Sequence, residues 1–263
     1  TLTMTNCTVS GNTADYGGGI YNYAHEESAT LTMTNCTVAG NSALIGGGIY
    51  TEGDFTDVST QYSYVNLYNT IVAGNTASTP GNDVYKENSY VKITAYNTLS
   101  TFADWDNASE TDVVNYVYDP AKPLFTDAQN GDYTLTKNSQ AIDKGNNSYA
   151  VDAQGNPLEF DLAGNARINN DIVDLGAFEY QRTILYVTTE NDVVDATDGV
   201  LSLREAIAQA EEDTLIKFDA PLAGKTITLS GKALTLEKEL TLDATALGES
   251  GLTISGANKS SIF

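Results

Sequence analysis

The sequence predicts an all-β solenoid of short stacked coils, joined by one short helix. Three observations carry this prediction: a near-verbatim repeat at the start of the 263-residue chain, a period-two alternation inside each copy, and asparagine or glycine wherever a copy must turn.

Residues 1–21 read TLTMTNCTVSGNTADYGGGIY and residues 30–50 read TLTMTNCTVAGNSALIGGGIY, an offset of 29 positions. A looser copy, VNLYNTIVAGNTA, occupies 65–77, and VKITAYNTLS at 91–100 keeps only the strand part. Within a copy, Leu2 and Met4 alternate with threonines, as a half-buried strand requires. Asn6 marks a corner, Val9 is the next apolar point, Gly11-Asn12 marks a second corner, and Gly17-Gly18-Gly19 leads into a third short strand at Ile20. Asparagine and glycine suit corners because they tolerate left-handed backbone angles. One coil cannot bury its apolar face alone, but stacked coils can. Stacking brings Leu2, Leu31 and Val65 together, then Met4, Met33 and Leu67, then Val9, Val38 and Val72. It also predicts structural amide ladders of Asn6, Asn35 and Asn69 and of Asn12, Asn41 and Asn75. Cys7 and Cys36 fall in one slot. Their Cα spacing of ~4.8 Å permits a disulfide, but side chains pointing the same way favour stacked thiols.

Thirteen basic residues against 35 acidic ones give a net charge of −22. Such a surface repels nucleic acid and anionic membranes. No apolar run is long enough for a transmembrane helix, so no membrane insertion is expected in this segment. The apolar share of 41% argues against disorder. The chain opens without Met or a leader on a patterned segment, which reads as part of something longer.

The phrase LTMTNCTVSGN…GGGIYN resembles the right-handed parallel β-helix repeat proteins of bacterial and archaeal surfaces. Residues 119–180 extend the likeness through DPAKPLF, GDYTLTKNSQAIDKGN and FDLAGNARINNDIVDLGAFEY. This run is similar to the C-terminal region of such proteins, found beside a variable cell-surface anchor. Ala141, Ile142, Asp143 and Gly145 match its first part; Asp161, Gly164, Arg167, Asp174, Gly176, Ala177 and Glu179 match its second. These carboxylates and Arg167 can be read as a site, but bonding of turns at the end of the helix is the preferred reading. From residue 183, ILYVTTENDVV reads as a strand, and SLREAI resembles the opening cap of the same class, with Leu201 where cysteine is common. Ser202 and Glu205 form a capping box, and Leu203, Ala206, Ile207 and Ala210 line one face of a short capping α-helix near 202–211. TITL, ALTL, ELTL and LTI then read as first coils. The resemblance thus implies two partial right-handed parallel β-helices in one chain: C-terminal coils and end region over 1–181, and an N-terminal cap with first coils over 182–263.

The function expected from this reading is that of a structural repeat unit in an extracellular, cell-surface protein or filament. Its partners would be copies of itself, end to end, as a covalent tandem array or a polymer. Surface glycans are a second class of partner, because the tyrosines between Tyr16 and Tyr96 offer stacking faces. Polysaccharide lyases and glycosidases share such folds, but fold does not determine function. Those chemistries need paired carboxylates or a basic residue beside the substrate acid, and residues 1–85 contain no Lys or Arg. No catalytic or cofactor-binding residue is assigned. His25 reads as an exposed loop residue, and the acid pairs Asp54/Asp57 and Asp104/Asp106 read as solvated. Charge and Asp-rich turns permit Ca²⁺, although neither a DxDxDG loop nor a GGxGxDxUx repeat appears. Sequons stand at Asn6, Asn35, Asn107, Asn146 and Asn258; the first two read as poor acceptors within a corner ladder, the others as usable.

Overall fold

A computed structural model describes residues 1–56, 59–79, 81–108 and 114–263. The chain is all-β, its long-range pairing is dominated by parallel sheets, and it divides into two compact units, Thr1–Gln181 and Arg182–Phe263.

The first repeat supplies β1 (Leu2–Thr5), β2 (Thr8–Ser10), β3 (Thr13–Tyr16) and β4 (Ile20–Tyr23); the second supplies β5 (Ala29–Thr34), β6 (Thr37–Ala39), β7 (Ser42–Ile45) and β8 (Ile49–Glu52). A short antiparallel excursion comes next, β9 (Asp54–Thr56) with β10 (Ser59–Gln61). The third pass supplies β11 (Ser63–Tyr68), β12 (Ile71–Val72), β13 (Thr76–Ala77) and β14 (Val84–Lys86), and the fourth β15 (Val91–Tyr96) and β16 (Leu99–Ser100), on which β17 (Tyr116–Val117) adds one further layer. Like strands pair with like: β1-β5-β11-β15, β2-β6-β12-β16-β17, β3-β7-β13 and β4-β8-β14. Leu2 faces Leu31 and Leu31 faces Val65; Met33 lies between Met4 and Leu67, and Val38 between Val9 and Val72. These rows, with Ile93 and Ala95, make the first core.

Each of the first three passes holds four strands, not the three that apolar spacing indicates. The extra strand, Thr13–Tyr16, is fully exposed and has no apolar alternation to announce it. The glycine triplet beside it has a steric reason: a Cβ on Gly18 would lie 2.4 Å from the Ser42 carbonyl oxygen and 2.5 Å from that of Gly47. Backbones of successive passes touch there, and only glycine fits.

Residues 118–181 carry one hairpin, β18 (Phe125–Asp127) with β19 (Asp132–Leu135), and then mostly turns. Leu124, Leu135, Ala141 and Leu175 pack on Ile71, Ala73 and Leu99 to form a second apolar cluster of this unit.

The second unit begins with β20 (Ile184–Val187), followed by α1 (Leu203–Gln209), β21 (Thr214–Phe218), β22 (Thr226–Thr228), β23 (Leu240–Asp243) and β24 (Thr253–Ser255). Its parallel sheets are β20-β21-β23 and β22-β24. The Ser202 hydroxyl accepts the Glu205 N–H and the Glu205 carboxylate accepts the Ser202 N–H, so both halves of the capping box are made. Leu203, Ala206 and Ile207 sink into a core with Val187, Ile216, Phe218 and Ile227. Arg204 points away from that core, gripping Asp192 at 2.7 Å and donating to the carbonyls of Lys232 and Ala233. ALTL at 233–236 forms no strand, because those carbonyls are held by Arg204 and the Leu234 N–H goes to Ile262.

Candidate functional site

Three groups of polar side chains are organised enough to be candidates: the asparagine rows, the carboxylate–arginine cluster of residues 143–180, and a tyrosine–glutamate face.

The two asparagine rows differ. Asn12 donates its side-chain amide to the Asn41 Oδ1 at 3.0 Å, and Asn41 donates to the Asn75 Oδ1 at 3.0 Å. Each acceptor oxygen also takes the backbone N–H of the asparagine that donates to it, Asn12 onto Asn41 and Asn41 onto Asn75. The row ends on the buried Asp83, whose Oδ1 accepts from Asn75 and whose Oδ2 accepts from Thr101. This is an aligned amide chain running onto a carboxylate, an arrangement in which each bond polarises the next. Asn6, Asn35 and Asn69, with Asn97, all adopt left-handed corners, φ 48 to 52°. Their amides mostly turn away from the row: Asn6 donates to Phe160, Asn35 to Asp174, Asn69 to Asn146 and Asn97 to Lys144, all at backbone carbonyls. Only Asn69 to Asn35, at 3.4 Å, runs along the stack. This row is the rail on which the end segment docks, a role that periodicity does not reveal.

The residues singled out by resemblance gather in that end segment. Arg167, almost fully buried, pairs with Glu179 at 2.9 Å and donates to the Gly176 carbonyl and Asn6. Glu179 also accepts the N–H groups of Asn169 and Asp174. Asp174 accepts those of Asp143 and Tyr180, and Asp161 those of Ala163, Asn165 and Glu179. Gly176 is left-handed, φ 91°, and a Cβ there would strike Ile71 and Thr37. Burial pushes the Asp174 and Glu179 carboxyls above the ordinary range, the Asp143 charge adds to this at Asp174 and the Asp174 charge at Glu179, and Arg167 offsets only part of it. Asp161, Asp174 and Glu179 are spent on turn backbone, Arg167 or both, and the Asp143 carboxylate takes the Asn170 side-chain amide at 3.4 Å.

The other sequence candidates are dispersed. His25 lies on the surface, 3.2 Å from Tyr23 and from Asp54; Asp57 lies outside the described residues. Asp106 is not a free loop acid: it holds Lys86 at 3.0 Å and accepts the Ile93 N–H at 2.6 Å. Asn107 is buried with both ends of its amide on Ala95, so it is no glycan acceptor, and its sequon partner Ser109 lies outside the described residues. Cys7 and Cys36 are free thiols, each donating to the carbonyl two residues back, as the Thr70 hydroxyl does in the next pass. Burial pushes the Cys36 thiol up to about 12, which removes its nucleophilic character.

The third group gives the tyrosines flagged as stacking faces a definite arrangement, which the sequence expectations did not specify. Tyr21, Tyr50 and Tyr85 stand in register on β4-β8-β14, ring centroids 5.2 and 5.6 Å apart, and Tyr16 abuts Tyr50 at 5.3 Å. Glu52 accepts from Tyr21 at 3.2 Å, and Glu52 and Glu87 line the same shallow concavity. Burial, then Glu87 and Glu52, raise the Tyr50 hydroxyl's pKa. The signal was present in the repeat: Ile20-Tyr21, Ile49-Tyr50 and Val84-Tyr85 each set a tyrosine one place after an inward residue. Among the described residues no group of three or more His, Cys, Asp or Glu side chains is placed to hold a metal ion, and no helix is long and apolar enough to cross a membrane. Compared with protein-family models, curated proteins and solved structures, the chain matches none.

Proposed function

We propose that this chain is a structural segment of an extracellular, right-handed parallel β-helix rod of the surface-protein class it resembles, and not an enzyme. One observation carries the reading: four separate parallel sheets take their strands from the same repeats in the same order, with side-chain rows in register. A chain that visits four sheets once per repeat advances one strand spacing, ~4.8 Å, per turn, and so grows as a stiff column. The acidic surface keeps such columns apart laterally. Electron microscopy with intact-mass analysis tests the proposal. Elongated particles, in a long covalent array or a polymer of this unit, are expected; compact particles of one unit at every concentration would contradict it.

The tyrosine–glutamate face favours a second reading, a carbohydrate-binding surface. Stacked rings offer apolar platforms and the glutamates accept hydroxyl hydrogens. Glycan-array binding that is lost in Tyr21→Ala and Tyr50→Ala would establish it, and the two roles are compatible in one protein.

A further inference from the structure

We infer that the outer face of the β5-β11-β15 sheet is a glycan-binding site in its own right, on which a glycan chain lies along β11 with one sugar seated in a notch between Tyr68 and Tyr149. This face belongs to a different sheet from the tyrosine–glutamate face, and the inference rests neither on that face nor on the rod.

Strand alternation builds the face. Val65 and Leu67 of β11 and Ile93 and Ala95 of β15 point into the core, so the residues between them point out. The register sets Tyr64 beside Lys92, Asn66 beside Thr94 and Tyr68 beside Tyr96, and the outward positions of β5 are all threonine. In a chain with 35 acidic residues, none of these outward positions is Asp or Glu.

Aromatic rings gather at both ends of the face. At one end the Tyr62 ring centre lies 6.0 Å from that of Tyr64 and 6.2 Å from that of Tyr90, and the Lys92 ammonium sits 5.8 Å from the Tyr62 ring centre. At the other end Tyr68 and Tyr96 stack at 5.3 Å, and Tyr149 stands against both, at 5.2 and 5.6 Å. Thr34, Tyr68, Tyr149 and Val151 line a notch of about 300 Å³, the size of a small ligand pocket. Tyr64 and Tyr68 are separated by ~13 Å of extended strand, room for a chain of sugars and not one alone. The middle is polar: the Asn66 Oδ1 accepts the Thr94 hydroxyl at 2.8 Å, and among the described residues nothing takes the Asn66 side-chain N–H groups.

The wall of the notch is fixed before any ligand arrives. Asn69 takes the Asn146 N–H on its Oδ1 at 2.8 Å and donates its amide to the Asn146 carbonyl at 2.9 Å. The Asn146 side chain caps the next turn at Ser148, and the Tyr149 N–H returns to the Asn146 carbonyl at 3.0 Å. Tyr149 is thereby held in place, and a preset tyrosine loses little entropy on binding.

The chemistry of the face selects its occupant. Ring faces suit the C–H faces of sugars, while Asn66, Thr94 and the tyrosine hydroxyls suit sugar hydroxyls. The net charge of −22 repels nucleic acid, and it repels a second copy of the chain. A cationic partner finds no carboxylate on these strands and meets Lys92 instead.

Biolayer interferometry of the whole chain against immobilised cellohexaose, chitohexaose, xylohexaose and hexagalacturonate tests this. Binding to at least one is expected. Tyr64→Ala and Tyr149→Ala should each weaken it about 3–10-fold, with circular dichroism confirming the fold. Lys92 is exposed, so Lys92→Gln leaves the fold untouched and should weaken binding about twofold. No binding to any of the four probes, or undiminished binding by folded Tyr64→Ala and Tyr149→Ala, would overturn the inference. Binding that survives those two changes and disappears in Tyr21→Ala would overturn it as well, and would assign the glycan to the tyrosine–glutamate face. The rod reading, tested by particle shape and mass, stands or falls separately.

Discussion

At the scale of single residues, stability rests on polar groups that no solvent reaches. Asn41 holds Asn12, Asn75 and the Val9 carbonyl at once, so Asn41→Ala strands the buried Asn75 and the part-buried Val9 carbonyl. A loss of about 2–3 kcal/mol is expected in urea unfolding, against a smaller loss for Asn12→Ala, since Asn12 is exposed. Arg167→Met removes the cation from a site that keeps Glu179 and Asp174, and should cost about 3–5 kcal/mol. The same cluster fixes a pH response. The folded-state values of Asp174 and Glu179 are raised, so the folded unit holds protons that the unfolded chain releases. Its stability is full below the ordinary carboxylate range and is lost as pH rises through the raised values. The melting temperature of the Thr1–Gln181 unit should therefore climb as pH falls from about 8 to about 5. In the other unit, Arg204 holds the Asp192 carboxyl down to about 2, a contribution present above the usual carboxylate range and lost only as pH falls through that value. Calorimetry from about pH 8 down to about pH 2 checks both signs.

Elements show how local chemistry and long-range docking divide the work. Helix α1 is short and depends on its cap, so Ser202→Ala should lower the stability of the Arg182–Phe263 unit by about 1 kcal/mol, read by denaturant unfolding. The edge of β15 depends on Asp106, and Asp106→Ala should expose the Ile93 N–H and raise light scattering on storage, without altering the β1 to β11 core. The capping box, the apolar rows and the Asn12-Asn41-Asn75 ladder were legible because each is written into consecutive repeats or one helical turn. The strand Thr13–Tyr16 was not, because a fully exposed strand carries no apolar alternation. The destination of the Asn6-Asn35-Asn69 amides was equally hidden: their partners at Phe160, Asp174 and Asn146 come from a segment with no repeat of its own. Asp106 read as solvated for the same reason, since only the folded chain lays it against β15. The tyrosine row, by contrast, was within reach of the sequence, since a tyrosine directly succeeds the inward Ile20, Ile49 and Val84.

For the whole molecule, charge governs how copies approach one another. A net charge of −22 repels neighbours in every direction. Salt screens that repulsion, so assemblies of the proposed rod should lengthen in sedimentation as ionic strength rises from about 0.05 M to about 0.5 M. In the proposed rod the parallel sheets stack along its axis, and fibre diffraction from aligned assemblies reads that stacking. A strong reflection near ~4.8 Å is expected on the meridian, from strands lying across the rod axis. The same spacing on the equator, or no alignable rods at all, would contradict it.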